Sequence, residues 1–112
     1  MDNITLGKIG ENTAADILSA EGYRVLRRNY RCREGEVDII ASKGPVISFI
    51  EVKTRSSRLY GRPCEAVDLT KQKHIRKAAY SYLKEMERNG YVPNKISFDV
   101  IEVVVEHIKG AF

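Results

Sequence analysis

The sequence has no apolar run that approaches the roughly 18 residues of a membrane-spanning helix. Its first residues, MDNITLGKIGE, also lack the apolar core of a secretory signal peptide. We therefore expect a cytoplasmic protein with no membrane partner. The sequence has no internal repeat and no linker, and its 112 residues suffice for one modest core. A single domain is predicted over residues 1–112.

Cysteine is rare as well. Neither Cys32 nor Cys64 belongs to a CxxC pair or has the Cys/His spacing of a zinc site. In a reducing compartment, two idle or buried thiols are more common than a disulfide. The sequence therefore disfavours structural zinc and a disulfide framework.

Charge is abundant and unevenly distributed. Charged residues make up 30% of the sequence and hydrophobic residues 43%, which is typical of a globular rather than a disordered protein. The formal net charge is +4, and basic residues concentrate in segments 24–33 and 53–77. This pattern favours a polyanionic partner, most commonly nucleic acid. On charge alone, a solvated basic surface explains it equally well.

The spacing of apolar residues predicts a first helix over 6–21. Thr5 or Asn3 is the expected N-cap, and Gly22 is expected to end the helix. The predicted buried stripe consists of Leu6, Ile9, Ala14, Ile17 and Leu18.

Four strands are predicted. The first covers 23–30 and the last 96–105, and two apolar segments between them meet at a turn over 43–45. Residues 31–35 are expected to turn the chain after the first strand.

A second helix is predicted to begin after a cap at Thr70 and to end at Asn89-Gly90. Its predicted buried face carries Ile75, Ala78, Ala79, Tyr82, Leu83 and Met86. Because this helix lies in the connection between the third and fourth strands, those strands are expected to be parallel neighbours with a right-handed crossover. The predicted fold class is α/β, in the order helix, three strands, helix, strand.

Three charged residues interrupt the second and third strands. Asp38 lies among apolar residues, and Glu51 and Lys53 follow an apolar run. Because strand side chains alternate between faces, Glu51 and Lys53 point the same way, and a hairpin brings Asp38 beside them. Buried charge costs several kcal/mol unless a partner or a metal compensates it. The alternative is a cross-strand ion pair of no catalytic importance.

Two carboxylates and an ammonium on adjacent strands fit phosphodiester hydrolysis. Asp38 and Glu51 are the expected ligands of Mg²⁺ or Mn²⁺, together with the backbone carbonyl of Val52. Lys53 is expected to orient or help deprotonate the attacking water, or to stabilise charge on the phosphate. Glu11, at the edge of the first helix's stripe, is expected to hold a second metal or to position the first through water. A solvent-facing glutamate is the alternative for Glu11.

Nucleic-acid contacts are expected from several segments. In the loop after the third strand, Tyr60 lies among arginines and can stack on a base or sugar, although a loop tyrosine more often packs on its own domain. Lys71 and Gln72 begin the second helix and are expected to face the acidic site, unless its first turn is solvated. The full predicted set is Arg28, Arg31, Arg55, Arg58, Tyr60, Arg62, Lys71 and Gln72.

Several motifs in order resemble a known family. They are Gly10-Glu11, Arg28-Asn29-Tyr30-Arg31, GEVDII, FIEVKTR, Tyr60-Gly61-Arg62-Pro63, Lys71 with Lys73, and Ser97-Phe98-Asp99-Val100. Over nearly its whole length, the sequence resembles the bacterial YraN-like family of restriction-endonuclease-like proteins. It is more distantly similar to archaeal Holliday-junction resolvases.

The resemblance implies the PD-(D/E)xK nuclease fold, in which helices flank a mixed sheet. It implies Glu11, Asp38, Glu51 and Lys53 as the catalytic set, with Mg²⁺ as the metal. Val37 stands before Asp38 in place of the proline that names the superfamily, at a position where many members vary.

The sequence thus predicts a metal-dependent endonuclease acting on DNA, with branched or recombination intermediates as candidate substrates. The alternative is a non-catalytic nucleic-acid-binding module of the same fold in a DNA-processing assembly. RNA stays open as a substrate. A homodimer also stays open, because resolvases cut two strands as two-fold dimers, but the sequence displays no dimer surface.

Overall fold

The computed structural model describes residues 1–56 and 67–112. Within them the chain forms two helices and four strands in the predicted order. These elements are α1 (Asn3–Ala20), β1 (Arg24–Cys32), β2 (Gly35–Lys43), β3 (Val46–Arg55), α2 (Leu69–Arg88) and β4 (Lys95–Val104). The predicted strand over 23–30 is too short, because β1 continues to Cys32 and pairs there with β2, so the turn covers only Arg33 and Glu34.

The sheet is mixed, with strand order β1-β2-β3-β4. β1 and β2 are antiparallel, as are β2 and β3, whereas β3 and β4 are parallel. The predicted parallel pairing across the α2 connection is therefore confirmed, since a helix between two strands allows the chain to return in the same direction.

The N-cap of α1 is Asp2, so the predicted caps Thr5 and Asn3 are wrong. The Asp2 carboxylate accepts a hydrogen bond from the backbone N–H of Thr5 at 2.7 Å. That bond satisfies a donor at the open helix end, which lets α1 begin at Asn3. The predicted end is confirmed, because Glu21 is the C-cap and Gly22 follows with a φ of +92°.

The buried side of α1 is narrower than predicted. Gly10, Ala14 and Leu18 are its buried residues, whereas Ile9 and Ile17 are exposed. The reason is close packing on β3. A Cβ on Gly10 would lie 1.7 Å from the hydroxyl oxygen of Thr54. Small residues thus let the helix backbone approach the strand, and this approach places the next residue, Glu11, beside the sheet.

α2 covers the other face of the sheet. Its N-cap is Asp68 rather than Thr70, because the Asp68 carboxylate accepts a hydrogen bond from the backbone N–H of Lys71 at 2.7 Å. The predicted end at Asn89 is confirmed. The predicted apolar face is also confirmed: Ile75, Ala78, Ala79 and Tyr82 are buried, and Leu83 and Met86 pack against them.

The core therefore has two layers, one on each face of the sheet. The α2 layer contains Tyr30, Val37, Ile40, Phe49 and Tyr82, and the α1 layer contains Ala14, Leu18, Ile39, Ala41 and Ile50. Burial on both faces explains why the two central strands, β2 and β3, read as nearly continuous apolar runs. Neither α1 nor α2 is apolar enough to cross a membrane.

Candidate active site

β2 and β3 separate at one end, and this opening creates the site. Their pairing runs from Lys43 opposite Val46 as far as Ile39 opposite Ile50. Beyond it, the Asp38 carboxylate accepts a hydrogen bond from the backbone N–H of Val52 at 2.7 Å. A side chain thus replaces a backbone partner at this point. In a strand, the N–H and C=O of one residue point to the same edge, so the Val52 carbonyl also faces the opening.

Glu51 is the buried acid of the opening, with 6% of its surface exposed. Its carboxylate lies within hydrogen-bonding reach of Asp38 and 3.4 Å from the Nζ atom of Lys71. Burial raises the pKa of Glu51 to about 8, and the hydrogen bond and charge of Asp38 act in the same direction. The ammonium of Lys71 opposes this rise only in part. The protonated form of Glu51 is therefore favoured near neutral pH, and its ionised form lies beside a second carboxylate, Asp38.

The four predicted catalytic residues line one cavity of about 460 Å³. Asp38, Glu51 and Lys53 come from the sheet, Glu11 comes from α1, and Lys71 borders the same space from α2. This cavity lies between the first turns of α1 and the end of β3. The structure thus brings together residues of α1, the sheet and α2 that are far apart in the sequence, from Glu11 to Lys71.

Glu11 faces β1 rather than the other two carboxylates. It accepts hydrogen bonds from Arg28 Nε at 3.2 Å and from Asn29 Nδ2 at 2.8 Å. Asn29 has a φ of +53°, a left-handed conformation that asparagine tolerates better than most residues. Its side chain thereby reaches α1. No local pattern predicts this role for Asn29, because its contact joins β1 to α1.

The oxygen donors fit a hard divalent cation. Asp38, Glu51 and the Val52 carbonyl face the same opening, and none of the described residues that line the cavity offers a sulfur or imidazole ligand. Among residues 1–56 and 67–112, no three His, Cys, Asp or Glu side chains converge on one point. Such a sparse set suits Mg²⁺ or Mn²⁺, since Mg²⁺ keeps several waters and is often bound by one or two carboxylates plus substrate phosphates.

The predicted nucleic-acid contacts fall into two groups. Within the described residues, Arg28, Arg31 and Arg55 pair with Glu11, Glu36 and Glu102 at 3.1, 2.9 and 2.6 Å. Lys71 pairs with Glu51, and Gln72 donates a hydrogen bond to the Val67 carbonyl at 3.0 Å. Arg58, Tyr60 and Arg62 lie outside the described residues. Sequence reasoning missed the ion pairs, because each joins residues on different elements or strands.

The model of Uncharacterised protein family UPF0102 matches residues 10–103. The chain belongs to this family. The YraN-like assignment is thereby confirmed at the level of the family, and the matched range contains Glu11, Asp38, Glu51 and Lys53.

Three relatives illustrate the match. The chain is 45% identical over 101 residues to a UPF0102 protein of Alkaliphilus metalliredigens (strain QYMF), covering 90% of this chain and 86% of the relative. It is 46% identical over 115 residues to one of Moorella thermoacetica, covering 95% and 93%. It is 47% identical over 98 residues to UPF0102 protein STH1475 of Symbiobacterium thermophilum, covering 88% and 80%. The similarity therefore spans most of each protein.

Proposed function

We propose that this UPF0102 chain is a metal-dependent endonuclease of the restriction-endonuclease-like PD-(D/E)xK fold that hydrolyses phosphodiester bonds in DNA. The observation that carries this proposal is the buried Glu51 beside a second carboxylate, Asp38. Two adjacent acids destabilise the ionised site, and a packing role would be served better by apolar side chains. A bound divalent cation would remove the repulsion between the two carboxylates and would explain why both are present.

Asp38, Glu51 and the Val52 carbonyl would hold Mg²⁺ or Mn²⁺. The bound cation would supply Lewis-acid stabilisation of the phosphate and a more acidic water. Lys53 borders the same cavity and carries an ammonium that would orient this water and stabilise charge growing on the phosphate. Hydrolysis adds water across a P–O bond and leaves a phosphate monoester and a hydroxyl group.

Lys71 acts in this proposal as the resident counterion of Glu51. Its Nζ atom lies 3.4 Å from the carboxylate, and its side chain is 42% exposed, so it can move without disturbing the core. With a divalent cation bound at Glu51, the Lys71 ammonium would be available to bind a substrate phosphate. Glu11 lines the cavity and holds Arg28 and Asn29 of β1 against α1. Its alternative role as a second-metal ligand stays a prediction.

The test is cleavage of labelled duplex, single-stranded and four-way-junction DNA with Mg²⁺, Mn²⁺ or EDTA. Branched or recombination intermediates, which occur in the cytoplasm of bacteria, are the expected substrates. Lys53→Ala and Asp38→Asn should bind DNA but fail to cut it. Equal cutting by Asp38→Asn and the parent would refute the site, and equal cutting in EDTA would refute the metal.

A non-catalytic DNA-binding module is the second candidate. It is favoured by the engagement of Glu11 with Arg28 and Asn29, and by the lack of a third convergent acid among the described residues. Calorimetry with Mg²⁺ separates the two candidates. For a binding module, the heat of Mg²⁺ addition should be the same for the parent and for Glu51→Gln. For the nuclease, Glu51→Gln should lose the heat of Mg²⁺ binding that the parent shows.

A further inference from the structure

Three adjoining cavities run along α2. The site cavity shares Lys71 with a second cavity of about 310 Å³. The second cavity shares Cys32 with a third of about 700 Å³, which reaches Arg88 at the end of α2. The shared lining residues place these cavities one after another between Glu51 and Arg88, and we call the series the α2 groove.

The far part of the α2 groove is strongly basic. Its six cations are Arg33, Lys73, Arg76, Lys77, Lys84 and Arg88. The one acid that lines it is Glu34, which pairs with Lys77 at 2.9 Å. Lys73, Lys77, Lys84 and Arg88 fall within about 60° on the helical wheel and span about 22 Å along the axis. They therefore form a straight row of positive charge.

The arginines of β1 make a contrast with this row. Arg27, Arg28 and Arg31 each pair with a carboxylate, at 3.7, 3.1 and 2.9 Å. The sequence places a dense basic segment here, but folding neutralises much of it. Of the six groove cations, in contrast, only Lys77 has an ion-pair partner among the described residues.

We propose that the α2 groove binds the phosphate backbone of the DNA strand that leads to Glu51. The row of cations is long enough for several successive phosphates, given one phosphate per about 3.4 Å of each strand in a duplex. Tyr80, 61% exposed, lines the same groove and offers a ring on which a base can stack. That the bound DNA is a substrate rests on the proposed function, whereas the binding itself does not require cleavage.

Two variants of equal net charge test this groove. The groove variant combines Lys73→Gln, Lys77→Gln, Lys84→Gln and Arg88→Gln. The control variant combines Arg24→Gln, Lys43→Gln, Lys95→Gln and Lys109→Gln, which change exposed cations outside the groove. DNA binding is measured in EDTA against salt concentration, after circular dichroism and urea unfolding have confirmed that both variants fold.

The groove variant should lose about three units from the slope of log K against log salt, since each lost phosphate contact removes about 0.7 to 0.9. The control variant should keep the parent slope. Equal slopes in the two variants would overturn the proposal, and so would a groove that prefers a polyglutamate peptide to DNA.

A gain-of-affinity variant removes any doubt from misfolding. Glu34→Gln releases Lys77 from its ion pair and should tighten DNA binding at low salt. Weaker or unchanged binding would count against the groove. Because all these binding measurements are made in EDTA, their outcome does not depend on metal-dependent cleavage. If the parent never cuts DNA but the slopes differ as expected, the nuclease proposal fails and the groove remains.

A separate observation concerns β4, which lies at the edge of the sheet. Ile96, Phe98 and Val100 alternate along one face of this strand and are 39%, 38% and 37% exposed. In the part of the chain that the structure describes, β4 pairs only with β3. This ten-residue edge strand contains no proline or glycine, so its free edge can pair with a further strand.

The sequence of β4 is self-complementary about Phe98. In an antiparallel pair of two copies centred there, Ile96 lies opposite Val100 of the second copy, and Ser97 lies opposite Asp99. Apolar side chains of the two copies then lie opposite each other on one face, and the Ser97 hydroxyl lies opposite the Asp99 carboxylate on the other face. Centring the pair on Asp99 instead would place two carboxylates opposite each other.

The geometry points to a second copy of this chain as the strand that covers β4. The resulting two-fold dimer has one eight-stranded sheet with both sites on the same face. Glu51 is level with Val100 in the β3–β4 register, so the two Glu51 residues would lie about 20 Å apart. If the proposed function holds, this arrangement suits paired cuts in two strands.

Cross-linking tests the register itself. In a Cys32→Ser, Cys64→Ser background, Phe98→Cys should form a cross-linked dimer with a short bismaleimide, because position 98 faces its own copy. Ile96→Cys and Val100→Cys should not cross-link singly but should do so when mixed. Cross-linking of Ile96→Cys alone, or none in any sample, would overturn this arrangement.

Sedimentation measures the dimer without cross-linking. Val100→Lys should raise the dissociation constant at least tenfold, because it places an ammonium among apolar side chains of the second copy. Ile108→Lys is the control, since Ile108 is 67% exposed in the C-terminal segment. A parent that is monomeric at all concentrations, or equal effects of both variants, would refute the dimer without bearing on the nuclease.

Discussion

Replacing Glu51 with glutamine should stabilise the metal-free protein at alkaline pH. The carboxyl group has an ordinary pKa of 4.5 and a pKa of about 8 in the folded chain. Between these values the folded chain binds more protons than the unfolded chain, so its stability falls as pH rises through the window. Glutamine is neutral at every pH and can still donate a hydrogen bond to Asp38, as the protonated acid does.

The size of this effect follows from the proton linkage. Each pH unit within the window changes the free energy of unfolding by up to about 1.4 kcal/mol. Glu51 borders an open cavity, and screening by solvent there makes the expected total smaller. The stability advantage of Glu51→Gln should grow by about 2 kcal/mol from pH 5 to pH 8.

Urea unfolding of parent and variant in EDTA, at several pH values, measures this difference, and contributions from other titrating groups cancel. Glu36→Gln is the matched control, because Glu36 is an exposed acid whose ion pair with Arg31 contributes less than about 1 kcal/mol. Saturating Mg²⁺ should stabilise the parent but not Glu51→Gln. A difference that stays constant with pH, or a variant less stable than the parent at pH 8, would refute the reasoning.

Three further predictions concern the site and the helix that supports it. Mg²⁺ affinity should rise between pH 6 and pH 8, because the cation needs ionised Glu51 and its binding releases a proton. Calorimetry in two buffers of different ionisation heat would detect the released proton. A pH-independent affinity would contradict the prediction. Gly10→Ala should cost about 2 kcal/mol or more in urea unfolding, because its methyl group meets Thr54, whereas Gly7→Ala should be neutral or stabilising since nothing lies within 4 Å. Asp2→Ala should lower the stability at neutral pH, because the backbone N–H of Thr5 loses its capping carboxylate. Hydrogen bonds to Thr5 lower the pKa of Asp2, so this loss of stability should disappear once the pH falls below that pKa. An equal loss of stability at all pH values would argue against the cap.

Local signals explain which parts of the fold the sequence could predict. A glycine directly after each helix marks its end in the sequence, and the apolar face of α2 follows the helical period. The period alone mispredicted α1, because Ile9 and Ile17 match it and yet are exposed. What decides their exposure is the close approach of Gly10 to β3, which is a property of two elements together.

The site was predictable in its residues but not in its electrostatics. Asp38, Glu51 and Lys53 were recognisable because they interrupt apolar strands. The helical wheel points Lys71 towards the acidic site, but its ion pair with Glu51 depends on where α2 returns to the sheet. For the same reason, the arginines of β1 looked available for DNA although folding pairs three of them with acids.

Several departures from regular local structure lie around the site cavity. β2 and β3 lose their backbone pairing beyond Ile39, Asn29 takes a left-handed conformation, and Glu51 is buried beside another acid. Each feature alone is mildly unfavourable and has an ordinary explanation. Their coincidence is harder to explain by packing, because a sequence free of functional demands would favour regular pairing and an apolar residue in place of Glu51. The fold tolerates them because α1, anchored by the contact of Gly10 with Thr54, holds the surrounding strands in place.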